Sequence, residues 1–140
     1  MEINLNGLGR EHLLVSDSCA SAEELVVLAK MNKDERVVRK ALVKTWTKIL
    51  EKYARSGVPI PSAEEIHREL LEEGVHAGVD AVMKEHWFVR RAMVEEKVRH
   101  HVEKGMRDLN IPEIIEDVRA VQNDPGLLQQ FRERIKHYVL

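Results

Sequence analysis

The chain holds one cysteine, Cys19, so no intrachain disulfide can form. That excludes a secreted disulfide scaffold and makes a reducing compartment the expectation. Aromatic residues are scarce at 4%, so aliphatic side chains must fill any core. Four prolines and seven glycines among 140 residues are too few for a fold built on many tight turns, which sets aside collagen and most β-sandwiches. No apolar run approaches the roughly 20 residues needed to cross a bilayer. The first residues, Met-Glu-Ile-Asn-Leu-Asn, lack the basic start and apolar stretch of a signal peptide. These absences read as a cytoplasmic protein with no membrane contact. No sign of charge dominates either. With a net charge of −2, any nucleic-acid binding would need a local patch.

What is present is helix punctuation. Hydrophobic residues make up 44% and charged residues 33%, enough apolar material for one domain of ordinary size. Ser21-Ala22-Glu23-Glu24, Asn32-Lys33-Asp34-Glu35 and Ser62-Ala63-Glu64-Glu65 have the form of capping boxes. Pro112 and Pro125 suit first helical turns, and Asp124 suits an N-cap. Gly57, Gly74 and Gly105 are read as helix stops. These marks predict about six helices, near 21–31, 34–56, 62–73, 76–104, 112–122 and 125–139. Residues 1–20 form a poorly defined arm, and 21–140 a single helical domain. Val38, Leu42, Ile49 and Tyr53 recur at helical spacing, as do Leu128, Phe131 and Ile135. Such stripes must be buried against other helices. No segment alternates long enough to demand a strand, so the class is all-α.

Two segments align without a gap at an offset of 51 positions: Lys33-Asp34-Glu35-Arg36-Val37-Val38-Arg39-Lys40-Ala41-Leu42-Val43 and Lys84-Glu85-His86-Trp87-Phe88-Val89-Arg90-Arg91-Ala92-Met93-Val94. An acid, a short gap, then Val-Arg and a small residue resembles the second-helix start of HEAT-like repeats. The run from Ala22 to Val43 also resembles a leucine-rich repeat variant unit. The resemblance implies that Val38 and Val89 pack inward and that Ala41 and Ala92 allow close helix contact. It implies a protein-binding module. Two features depart from it: the offset exceeds the usual repeat length, and the helix predicted at 34–56 is long for a solenoid unit. A compact helical bundle remains the other architecture.

The clearest surface signal is a cationic row. Arg36, Lys40, Lys44, Lys48 and Lys52 follow one another at i,i+4, along one slowly drifting helix face. Residues 33–55 carry a net +5, leaving −7 for the rest of the chain. The row can serve a partner, either an acidic protein or nucleic-acid phosphates. It can equally be answered by the acid-rich segment 62–73, with Glu64, Glu65, Glu69, Glu72 and Glu73, folded back by the short loop at 57–61. A second cluster on 90–107 interleaves bases with acids and reads as internal pairing. His86-Trp87-Phe88 is the densest aromatic spot. Two neighbours on a helix point 100° apart, so one of Trp87 and Phe88 is expected to be exposed as an anchor. Trp46 is read as core.

Seven histidines raise the question of metal. Glu64-x-x-His67 is half of a di-iron pattern, which needs a second such motif and two more carboxylates. Glu73-x-x-His76 crosses Gly74, and Glu96 with His100 makes only a pair. No P-loop, dinucleotide fingerprint or Gly-x-Ser-x-Gly occurs. The reading is therefore non-catalytic and without a cofactor: an interaction module for another protein or a second copy of itself. Arg36, Lys40, Lys44, Lys48, Lys52 and Trp87 form the contact surface. Nucleic-acid binding through the same row is the alternative, and a metal-dependent enzyme in a bundle core the third.

Overall fold

A computed structural model describes residues 34–140 and the single position Ala22. The arm at 1–20 and, apart from Ala22, the helix predicted at 21–31 lie outside the described residues. Those residues form five α-helices, one 3-10 turn and no strand, so the class is all-α. The helices are α1 (Glu35–Tyr53), α2 (Ala63–Met83), α3 (Arg91–Arg107), α4 (Ile111–Asn123) and α5 (Leu128–Val139), with the 3-10 turn Pro125–Leu127 leading into α5. No described helix is long and apolar enough to cross a membrane.

Several punctuation marks act as their chemistry dictates. Ser62 and Glu65 close a full capping box, Ser62 Oγ accepting from the Glu65 amide at 3.2 Å and Glu65 Oε1 accepting from the Ser62 amide at 3.2 Å. Asn110 accepts from the Glu113 amide at 3.1 Å and starts α4, with Pro112 in the first turn. Asp124 caps the 3-10 turn rather than α5 itself. Gly57 sits at φ +82 in the loop from α1 to α2, a conformation that side chains with a Cβ rarely adopt. At the start of α1 the N-cap position falls to Asp34, whose carboxylate turns away from the helix.

Two predicted boundaries are corrected. The helix expected to stop at Gly74 runs on to Met83, and the one expected over 76–104 begins only at Arg91. Gly74 and Gly78 serve packing. A Cβ on Gly74 would meet Leu42 Cδ2 at 2.9 Å, Trp46 Nε1 at 3.0 Å and Val102 Cγ1 at 3.2 Å. A Cβ on Gly78 would meet Val98 Cγ1 at 2.6 Å. Their bare backbones let α2 lie against α1 on one side and α3 on the other. A glycine inside a helix costs about 1 kcal/mol against alanine, and this close contact offsets it. Gly105 also stays inside its helix, two residues short of its end.

These contacts fix the arrangement. Lys52 meets Glu69, and Leu42 and Trp46 meet Gly74, so α2 runs antiparallel to α1. Gly74–Val102, Gly78–Val98 and Asp80–Arg91 run α3 antiparallel to α2. Glu51–Arg132 and Arg39–Val139 lay α5 antiparallel along the other flank of α1. Asp117–Arg134 and Glu113–Tyr138 join α4 to α5. Val38, Leu42, Trp46 and Leu50 from α1 meet Ile66, Leu70, Val79 and Val82 from α2 and Val94, Val98 and Val102 from α3 in the core. Trp46 is buried as expected, and its indole N–H donates to the Leu70 carbonyl at 2.8 Å. The one polar atom of the largest core side chain is thereby satisfied.

The aligned segments do not share a local structure. In the first, Glu35–Val43 is helix; in the second, Lys84–Arg90 is loop and the helix starts at Arg91. Val38 and Val89 are both buried, but Ala41 is half-buried and Ala92 exposed, so the close contact expected at the alanines is not shared.

Candidate functional site

All five members of the cationic row are exposed on α1, turned away from the buried Val38, Leu42 and Ile49. Each i,i+4 step advances the row by about 40° around the axis. The drift carries it to the flank of α2 at Lys52. There Lys52 Nζ meets Glu69 Oε2 at 3.1 Å and stands 4.5 Å from the centre of the Tyr53 ring. The hydrogen bond to Glu69 raises the Lys52 pKa above its ordinary value.

Arg36, Lys40, Lys44 and Lys48 make no ion pair with any other described residue. The acids within α1 are engaged elsewhere. Glu35 accepts from Arg39 Nε at 2.9 Å, and Glu51 accepts two bonds from Arg132, at 2.8 and 2.9 Å. These hydrogen bonds hold both carboxyls below the usual range. The acids of α2 do not answer the row beyond Lys52. Glu65 is turned to its own N-cap, which lowers its pKa, and Glu69 serves Lys52 and Tyr53. Asp80 takes Arg91 and His76. Packing α2 beside α1 brings the two charged helices together, yet both rows face outward.

Trp87 is 77% exposed and Phe88 48%. Their rings meet edge to face at 5.8 Å, with His86 edge-on to Phe88 at 6.5 Å. Both aromatics project because 84–90 is loop, where the 100° rule of a helix does not apply. Val89, the next residue, turns inward and anchors the loop in the core. His86 Nε2 lies 2.7 Å from Asp34 Oδ2. That contact ties the aromatic loop to the end of α1 where the cationic row begins, and so brings Trp87 to the same end of the molecule as Arg36.

Glu73 and His76 share one unbroken helix, since Gly74 does not interrupt it. Among the described residues no three His, Cys, Asp or Glu side chains come together as a metal-holding group. Cys19 lies outside the described residues. A shallow, open depression lies on α5, lined by Gln129, Gln130, Glu133, Arg134 and His137.

Sequence reasoning missed one group. His101 of α3 is buried, and neither ring nitrogen has a hydrogen-bond partner. Its Nδ1 stops 3.4 Å from Glu35 Oε1. Burial lowers the His101 pKa, against the opposing pull of Glu35. The signal was present in the spacing: Val94, Val98, His101 and Val102 fall on one helix face.

Comparison with known proteins gives no match: no family model fits the chain, and no curated protein or solved structure resembles it significantly.

Proposed function

We propose that the protein is a non-catalytic interaction module of the cytoplasm that binds an acidic segment of another protein along α1. The observation that carries this reading is the row Arg36, Lys40, Lys44 and Lys48, left without ion pairs among the described residues while Glu35 and Glu51 are engaged by other arginines. From Arg36 to Lys48 the row spans about 18 Å at 1.5 Å per residue. That length suits an acidic helix with carboxylates at the same pitch, or a short extended acidic stretch. The cations steer the partner and set its register. Trp87 and Phe88 supply the apolar anchor that a purely ionic contact lacks. The cytoplasmic assignment rests on the single cysteine.

Nucleic acid would use the same row, but the remainder of the chain carries −7 and repels a polyanion larger than the row itself. The test compares binding of a short glutamate-rich peptide, no longer than the row, and of random-sequence duplex DNA by the unaltered protein and by the Lys44→Glu, Lys48→Glu double variant. The reading expects the peptide to bind in a salt-dependent way and the variant to lose about tenfold or more in affinity, or roughly 1.4 kcal/mol. Tighter binding of the duplex, with a steeper salt slope, would move the assignment to nucleic acid. Binding of neither would remove the row as a functional surface.

A further inference from the structure

A buried imidazole with two unpaired nitrogens is costly, because a polar group taken from water without a partner loses its hydration and gains nothing in return. His101 is such a group, 7% exposed, in the contact between α3 and the start of α1. The groups around it form a short chain of contacts. From α1, Glu35 presents Oε1 to His101 Nδ1 at 3.4 Å, beyond hydrogen-bond reach. The other Glu35 oxygen accepts from Arg39 Nε at 2.9 Å. Arg39 Nη1 in turn donates at 2.6 Å to the Val139 carbonyl, at the last turn of α5. From α3 itself, Lys97, His100 and Lys104 act on the ring. Two helices thus meet at the imidazole, and Arg39 links the same carboxylate to the end of α5.

We infer that His101 is an acid-sensitive latch, seating α3 against the start of α1 beside Glu35 while the imidazole is neutral and releasing it when the ring takes a proton. Protonation places a cation in a buried contact beside two lysines. Glu35 Oε1 faces one ring nitrogen, but the charge of that carboxylate is already shared with Arg39 through its other oxygen, and the buried Nε2 has no acceptor at all. The imidazolium is therefore left under-compensated and leaves for water, which parts α3 from α1. The sign follows from burial. The neutral form is favoured in the fold, so His101 affects stability little above its ordinary value of 6.5 and costs stability as pH falls below it.

The test uses the full chain and reads three quantities from about pH 8 to about pH 5, the window in which histidine charges. The first is the titration of the His101 ring by NMR. The second is the thermal midpoint of the unaltered protein, His101→Leu and Glu35→Gln. The third is the emission of Trp46 in a Trp87→Phe background, where it is the sole tryptophan. Trp46 reads the same α3–α1 contact one turn further along α3: a Cβ on Gly105 would lie 3.8 Å from its ring. The latch expects the His101 ring to titrate below 6.5, and lower still in Glu35→Gln. It expects the midpoint to fall with acid, the emission to shift to the red, and His101→Leu to flatten both changes. Titration at or above 6.5 overturns the inference, as does an acid response unchanged in His101→Leu, or a titration below 6.5 with no shift in Trp46. If His101→Leu does not fold, the ring titrations of the unaltered protein and Glu35→Gln decide, together with the Trp46 emission.

Discussion

Gly78 of α2 lies so close to Val98 of α3 that a Cβ added to the glycine would sit 2.6 Å from Val98 Cγ1. Val98 is fully buried and β-branched, so it has little freedom to move aside. Gly78→Ala should therefore destabilise the protein by about 1–3 kcal/mol, the usual cost of overpacking, even though alanine is the better helix former by about 1 kcal/mol. A urea titration reads this directly. Gly105→Ala is the internal comparison. It has only ordinary contacts, 3.8 Å to Leu42 Cδ1 and to the Trp46 ring. That variant should gain about 0.5–1 kcal/mol. Two glycines moving the midpoint in the same direction would contradict the close approach of α2 and α3.

Gln122 of α4 should prove a structural clamp. Its Nε2 donates to the carbonyls of Tyr53 and Val58, each at 2.7 Å, across the loop that leaves α1. Gln122→Met keeps the length of the side chain and removes both donors. At about 0.5–1.5 kcal/mol for each hydrogen bond, the variant should lose about 1–3 kcal/mol. The midpoint in urea should fall while the slope stays unchanged, since the same surface is exposed on unfolding. A midpoint that does not move would mean that water replaces the amide without loss.

The stripes of α1 and α5 could be read from the sequence because Val38, Leu42 and Ile49, like Phe131 and Ile135, repeat at a spacing only a buried helix face explains. The α2–α3 region could not. A glycine in sequence marks either a left-handed turn or a close approach, and Gly57 is the first while Gly74 and Gly78 are the second. The break at 84–90 carries neither proline nor glycine, and its N-cap, Arg90, makes no side-chain cap bond. It is set by tertiary contacts, with Val89 buried and His86 drawn to Asp34. The cationic row was legible as a spacing. Which of its members find partners was not, because Glu51 chooses Arg132, 81 positions away, over the lysines of its own helix.

The two tyrosines make an alkaline prediction with a definite sign. Tyr138 is half-buried between α4 and α5, and its hydroxyl donates to Glu113 Oε1 at 2.7 Å. Burial, then the bond to Glu113, pushes its pKa up to about 12. Tyr53 donates to Glu69 Oε1 at 2.5 Å, and that bond, with burial, also raises its pKa above the ordinary value. In both cases the fold prefers the neutral phenol, because ionising it removes the donated proton and sets phenolate against carboxylate. The unfolded chain ionises near the ordinary value of about 10. The contribution to stability is therefore whole below about pH 10 and is lost as pH rises toward the folded value. An ultraviolet titration of phenolate should find Tyr138 neutral at pH 10 in the folded protein, Tyr53 less ionised there than in denaturant, and both half-ionised near that pH in denaturant. Tyr138→Phe should remove the higher of the folded titrations and reduce the alkaline loss of stability between about pH 10 and 12. If the folded protein instead shows a phenolate near pH 10 that disappears in Tyr138→Phe, the Tyr138–Glu113 bond does not hold α5 to α4 in solution.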